Sequence, residues 1–296
     1  MLTNWYLQRV LQDLNAKAAG VFHVPSTEAL IELSQLQAVV FPSTSFFYAG
    51  NPELSQFFAF QDQTMDVKQQ VLGLAAGLAA EAQGSAFKPI VAAAKSMGLS
   101  VREVDVDQIA PLGLVGKLDR TWYILGDELC MAQEGIELGV SVQTLTRQFQ
   151  QDGKYALFLA QKQPKRLLGV FACFYPLHSK ALGVAEMFHK EGIAVELLTT
   201  LKSPIALTVA QQLGISLLQS ELSAEQKQLA LQGIQQQQPK CAVVMTSTDV
   251  QGGVVLQLPS GTLAWAQSLQ ELPMLIQAGR QGMRRAKQRL FWVTLE

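Results

Sequence analysis

Four apolar residues, Ala38-Val39-Val40-Phe41, run directly into the polar turn Pro42-Ser43-Thr44-Ser45. That pattern predicts a buried parallel strand delivering a loop to a site at its carboxyl end. Upstream, Trp5, Leu7, Val10, Leu11 and Leu14 recur at helical spacing between residues 4 and 18, and Gly20 stands where a C-terminal cap belongs. Ser26 or Thr27 is the expected cap of a second helix reaching to about Ser34, with Leu30, Ile31 and Leu33 turned inward.

The pattern changes after Asn51-Pro52. An alanine- and leucine-rich helix is expected over 66–83 and another from Lys88 to Met97, followed by strand-like runs at Val101–Val106, Leu112–Leu118 and Thr121–Leu125. Helices near Glu128–Gln133 and Ser141–Gln150 lead to a strand at Ala156–Ala160. This order does not alternate as βαβ units do, so it predicts an α+β module on an antiparallel sheet.

From Leu167 alternation returns: strand Leu168–Phe174, helix Ser179–Glu191, strand Ala194–Leu198, helices Ser203–Leu213 and Ala224–Gln235, strand Ala242–Met245 and a closing helix Met274–Arg289. These predict a doubly wound parallel sheet. The first such strand lies at 38–41 and the rest begin near 168. The expected organisation is therefore an α/β domain of residues 1–50 and 166–296, split by an inserted α+β domain of residues 51–165.

Composition narrows the function classes. At 49% hydrophobic and 16% charged residues the chain is apolar enough to prompt a search for a membrane span. The longest near-continuous apolar run, Val71–Ala80, is too short for a bilayer, which needs ~20 residues. No basic-then-apolar leader opens the sequence, which makes the cytoplasm the expected location. A formal net charge of -1 gives no electrostatic case for nucleic acid as a partner. Cys130, Cys173 and Cys241 show no CxxC spacing and are odd in number, so they read as buried thiols in a reducing compartment. His23, His178 and His189 fall at no ligand spacing, so no metal role is expected of them.

The order of elements and several motifs together resemble the cytoplasmic unit, phosphorylation plus nucleotide-binding domain, of heavy-metal, copper-type P-type ATPases in the haloacid dehalogenase-like superfamily. The resemblance runs from about Gly20 to Val293. Ala38–Phe41 resembles the strand before the family's D-K-T-G-T loop, with Thr44 at the first threonine. Gly84-Ser85 with Lys88-Pro89-Ile90 resembles the G-S-E-H-P-I segment, and Gly113 and Gly116 keep two of the glycines of a G-x-G-x-x-G turn whose first position is Pro111. Thr199 takes the threonine of T-G-D, and Glu221-Leu222 with Lys227 resembles the hinge lysine segment.

Phosphoryl transfer in that family needs an aspartate nucleophile and further carboxylates to hold Mg²⁺. At the positions where the resemblance puts them stand Pro42, Leu201 and Tyr175, and the G-D-G-x-N-D segment falls on 246–252, where Asp249 is the one carboxylate. The resemblance thus implies a catalytically degenerate protein, a non-enzymatic binding, regulatory or scaffold component linked to heavy-metal (copper) transport. Its vestigial phosphate site would comprise Thr44, Thr199 and Lys227, and the cleft is expected to be packed by Tyr175 and Leu201. The local alternative is that Thr199 caps a turn and Lys227 is solvated. Lys88, Gly113 and Gly116 are the candidate nucleotide contacts, with ATP and Mg²⁺ not required. The competing function is an ATP hydrolase with relocated carboxylates, Asp249 and Asp127.

The C-terminal stretch has a separate physical meaning. Arg280, Arg284, Arg285, Lys287 and Arg289 form a basic face followed by Leu290-Phe291-Trp292-Val293. Such a helix suits an anionic membrane surface or a membrane metal transporter as partner. A solvated basic face with its apolar side on the sheet is the alternative.

Overall fold

The structure is a computed structural model that describes residues 2–80, 82, 85–101, 104–110, 113–179, 181–246 and 253–293. It opens with helix α1 (Leu2–Ala18), strand β1 (Phe22–His23), helix α2 (Thr27–Gln35) and strand β2 (Ala38–Phe41). Then follow β3 (Glu53–Ala59), α3 (Met65–Ala79), α4 (Lys88–Ser96), β4 (Val106–Ala110), β5 (Gly113–Leu118), β6 (Thr121–Gly126), α5 (Glu128–Gln133), α6 (Val140–Gln151), β7 (Tyr155–Gln161) and β8 (Arg166–Phe174). The last third holds α7 (Val184–Lys190), β9 (Ala194–Leu198), α8 (Ser203–Leu213), β10 (Leu217–Gln219), α9 (Ala224–Gln237), β11 (Cys241–Thr246), β12 (Val254–Gln257), β13 (Leu263–Ala266) and α10 (Glu271–Val293). The chain divides into two compact units, Met1–Phe47 with Leu177–Glu296, and Tyr48–Pro176.

The first unit is built on a sheet of order β1-β13-β12-β11-β2-β9-β10. Its parallel part is β11-β2-β9-β10, in register so that Val40 lies between Val243 and Glu196. All four residues of β2 are buried, as a strand covered on both faces requires. β12, β13 and β1 extend the sheet antiparallel. None of these three, nor β10, is expected from the sequence: they are two to four residues long and carry too little periodic contrast. The chain runs from β2 outward to β9 and β10, then returns to the other side of β2 as β11. The carboxyl ends of β2 and β11 therefore flank the topological switch point, where open α/β sheets bind their ligands.

Helices α2 and α10 cross closely in this unit. Ser26 caps α2, its hydroxyl accepting from the Ala29 N–H at 3.1 Å. Leu30 and Leu33 are fully buried. Gly279 of α10 sits against Leu33, where a methyl group would stand only 2.8 Å from Leu33 Cβ. Trp5, one of the residues at helical spacing in α1, is 54% exposed, with the Arg9 guanidinium 5.5 Å from its ring centre. Leu7 and Leu11 supply the buried face instead.

The second unit is an antiparallel sheet of order β3-β8-β7-β6-β5-β4. The segment Leu168–Phe174, read from sequence as part of the parallel sheet, is here: β8 pairs on one side with β3 and on the other with β7. A strand hydrophobic on both faces looks the same in either setting. The strand read at Val101–Val106 lies instead at Val106–Ala110, and β3 is unexpected, an edge strand with exposed Glu53, Ser55 and Gln56. Alternate side chains of the central strands feed two cores. Leu157, Leu159 and Phe171 meet Leu72, Ala75, Phe87 and Ile90 of the α3–α4 side, while Phe158 and Val170 meet Met131 and Phe149 of the α5–α6 side. Because Glu53 pairs with Phe174, the unit runs from Tyr48 to Pro176, beyond the expected limits of 51 and 165. Among the described residues no helix is long and apolar enough to cross a membrane.

Candidate functional site

β2 ends at Phe41, and the chain turns through Pro42 into a single 3₁₀ turn, Thr44–Phe47. An aromatic cluster fixes this turn, with Phe41 ring centres 4.8 Å from Phe47, 5.9 Å from Phe46 and 6.2 Å from Phe188. Ser43 closes the loop locally, its hydroxyl accepting from the Ser45 N–H at 3.1 Å. Thr44 is buried.

Thr199 follows β9 one residue past its end and is 1% exposed. Its N–H donates to the Gln219 carbonyl at 2.9 Å, its carbonyl accepts from the Leu222 N–H at 3.1 Å, and its hydroxyl accepts from the Leu201 N–H at 3.2 Å. Hydroxyl and backbone together thus hold the turn in place, which is the capping role. Just beyond, α8 begins without a side-chain cap from its own N-cap residue, Lys202. The carboxylate of Glu221 takes that place, accepting from the Ser203 N–H at 2.8 Å and its hydroxyl at 2.7 Å. Those donors hold the Glu221 carboxyl below its ordinary pKa. Glu221 adopts φ 59°, a conformation that L residues seldom take. An N-terminal helix end of the kind that binds phosphate therefore already faces a carboxylate of the same chain.

Lys227 lies in the first turns of α9, which Ser223 and Gln226 start as a capping box. Its ammonium donates to the Pro42 carbonyl at 3.2 Å. Half-burial of the amine lowers its pKa by desolvation. Of the three residues read as a phosphate site, Lys227 therefore reaches the loop itself, Thr199 is engaged by its own turn, and Thr44 is buried at the start of the 3₁₀ turn.

The two side chains expected to pack the cleft, Leu201 and Tyr175, belong to different units. Leu201 is half-buried, and its carbonyl accepts from the Glu221 N–H at 3.0 Å. Tyr175 belongs to the second unit, stacked on Tyr48 at 4.7 Å between ring centres and 5.8 Å from Tyr155. Asp249 lies outside the described residues, as do Gly84 and Pro111, and nothing is described of the side chains of Ser85 or of residues 289–293. Asp127 is the N-cap of α5, its carboxylate accepting from the Cys130 N–H at 2.9 Å.

In the second unit Lys88 is exposed at the start of α4 and follows Phe87, which is buried in the core. Gly113 is buried in β5, opposite Gly126. At Gly116 an added methyl would meet Leu78 Cδ2 at 2.6 Å and Val104 Cγ1 at 2.9 Å. That glycine is explained by close packing of α3 on the sheet. A cleft of about 620 Å³ runs along α3 past Asp66, Gln70, Gly73 and Leu118, and none of Lys88, Gly113 and Gly116 lines it.

No protein-family model matches the chain. Among curated proteins it is similar to copper-exporting P-type ATPases of Staphylococcus aureus, 24% identical in strain bovine RF122 / ET3-1 and 23% in strain USA300, over 273 residues in each case. These alignments cover 87% of the chain and 33% of each relative, so the chain spans about a third of their length. Among solved structures it is similar to a zinc-transporting PIB-type ATPase in its E2·Pi state, with a TM-score of 0.71 and 17% identity over 96% of this chain and 47% of that one. It is also similar to the catalytic CPx-ATPase domain CopB-B, with a TM-score of 0.55 and 17% identity over 77% of this chain and 78% of that one. The chain is thus similar in sequence to copper-exporting P-type ATPases, and its mixed α/β fold matches that of the zinc-transporting ATPase and of the CPx-ATPase catalytic domain.

Proposed function

We propose that this homologue of copper-exporting P-type ATPases works by binding rather than by phosphoryl transfer, as a regulatory or scaffold component of heavy-metal (copper) transport on the cytoplasmic side. The observation that carries the reading is the Pro42 loop at the carboxyl end of β2. A proline there has no nucleophilic atom, and its carbonyl is already held by the Lys227 ammonium. Leu201 offers no side-chain oxygen for a divalent cation, which takes hard oxygen ligands. The residues present at this loop thus do not fit Mg²⁺ in the family's manner.

Three further observations support the reading. The Thr199 hydroxyl serves its own turn, Glu221 satisfies the start of α8, and Leu78 and Val104 cover the backbone at Gly116. A nucleotide needs a close backbone approach, and that approach is taken up by the protein's own side chains. What remains for the chain is recognition of a partner, with a membrane metal transporter the partner proposed.

Incubation with radiolabelled ATP and Mg²⁺ tests this. The expected result is no acid-stable, hydroxylamine-labile phosphoprotein; its appearance would overturn the proposal. Steady phosphate release that disappears in Asp249→Asn would instead establish the competing hydrolase.

A further inference from the structure

The basic residues of α10 do not share one face. Arg285 turns toward α1, where it lines a cleft with Asp13 and Lys17. Arg280, Arg284 and Lys287 stand at i, i+4 and i+7 and so lie on one stripe. That stripe borders a separate cleft of about 380 Å³, closed on its other side by Ser34, Gln35 and Gln37 at the C-terminal end of α2.

We propose that this cleft is a binding site for a phosphate group. Its charge is one-sided: among the described residues no carboxylate lines it, although the whole chain carries a formal net charge of -1. Arg280 forms the fixed wall. Its guanidinium donates to the Leu36 carbonyl at 2.8 Å and to the Glu191 carbonyl, with the Glu191 carboxylate 3.4 Å away. The negative end of α2 is thereby answered by Arg280, and the charge of Arg280 in turn by Glu191. Ser34 likewise donates to the Ile31 carbonyl at 2.7 Å.

The two cations that remain, Arg284 and Lys287, are exposed along the α10 side of the cleft. The exposed amides of Gln35 and Gln37 add neutral donors beside them. A planar guanidinium with an ammonium one turn away is a donor set suited to the several oxygens of a phosphate. The same chemistry is presented by free phosphate and by an anionic lipid headgroup.

The two sources are separated by testing the full chain in two arms. Inorganic phosphate is titrated and followed by amide NMR shifts around residues 34–37 and 280–287. Sedimentation is then measured with vesicles of pure phosphatidylcholine and of equimolar phosphatidylcholine and phosphatidylglycerol. The double variant Arg284→Gln/Lys287→Gln is expected to lose binding roughly 25-fold, about fivefold for each cation removed. The charge-matched variant Lys17→Gln/Arg285→Gln, on the other cleft, should bind as the parent does. Both variants change exposed or cleft-lining side chains, and unchanged circular dichroism and melting establish that they fold.

Saturable phosphate shifts without selective sedimentation assign the site to a soluble phosphate. Sedimentation only with the phosphatidylglycerol vesicles assigns it to a headgroup. Binding in neither arm, an unaffected Arg284→Gln/Lys287→Gln protein, or an equal loss in the charge-matched variant overturns the proposal.

Discussion

The crossing of α2 and α10 positions both Arg280 and the basic cleft, and it makes a prediction of sign. In Gly279→Ala the new methyl carbon would lie 2.8 Å from Leu33 Cβ and 3.7 Å from the Leu33 carbonyl carbon. Leu33 is fully buried, and a Cβ cannot swing aside as a side-chain terminus can. Carbon atoms rest about 3.5–4.0 Å apart, so the two helices must separate by roughly 1 Å. Overpacking of that kind costs about 1–3 kcal/mol. Alanine returns about 1 kcal/mol through helix propensity, leaving a net destabilisation of roughly 0–2 kcal/mol. Gly233→Ala in α9 is the matched control, because nothing lies within 4 Å of its added methyl. It should stabilise the same unit by about 0.5–1 kcal/mol. Urea unfolding followed by tryptophan fluorescence reads this unit alone in a Trp122→Phe background, since Trp122 is the tryptophan of the second unit. Midpoints that rise for both alanine variants would refute the close approach of α2 and α10.

Two further outcomes follow from the titrating groups. Burial pushes the Cys130 thiol up to about 11, helped by Asp127 and Glu134, and pushes Cys173 and Cys241 up to about 12, the last helped by Glu196. Since the thiolate is the reactive form, dithionitrobenzoate at neutral pH should label none of the three in the native protein and all three in urea; rapid native labelling would contradict their burial. Lys227 has its pKa lowered from 10.5 by desolvation, so the folded protein holds this proton less tightly than the unfolded chain does. Its cost to folding is full at neutral pH and fades as pH rises toward 10.5, so the stability of the parent relative to Lys227→Met should increase over that window. A difference that stays constant with pH would show the ammonium to be fully hydrated.

How much of this was legible in the sequence depends on burial contrast. Ala38–Phe41 is readable to the residue because a strand buried on both faces is a short uninterrupted apolar run, and Ala194–Leu198 is readable despite the Glu196 within it. Ser203–Leu213 is equally clear, ended by Gly214 at φ 71°. β3 is not, since its exposed Glu53, Ser55 and Gln56 break the alternation on which strand reading rests. The sheet to which β8 belongs is likewise hidden: nothing within Leu168–Phe174 distinguishes a parallel partner from the antiparallel neighbours β3 and β7.

The candidate site shows the same limit at the level of single groups. Thr44, Thr199 and Lys227 were nameable through the resemblance, but the partner of the Lys227 ammonium, the Pro42 carbonyl, lies 185 residues away in sequence. Glu221 was visible as a residue of the hinge segment, yet its bonds to Ser203 depend on a positive φ that no pattern of apolar positions reveals. The sequence suggests a cleft plugged by bulky side chains at 175 and 201. In the structure three groups near that loop have intrachain partners: a turn N–H for the Thr199 hydroxyl, a loop carbonyl for the Lys227 ammonium and a carboxylate for the start of α8. An incoming phosphate would have to break these bonds, each neutral one worth about 1 kcal/mol net, and face the Glu221 charge as well. By contrast Arg284 and Lys287 border a cleft in whose lining no carboxylate stands among the described residues. An anion that binds this chain therefore meets less opposition at α10 than at the Pro42 loop.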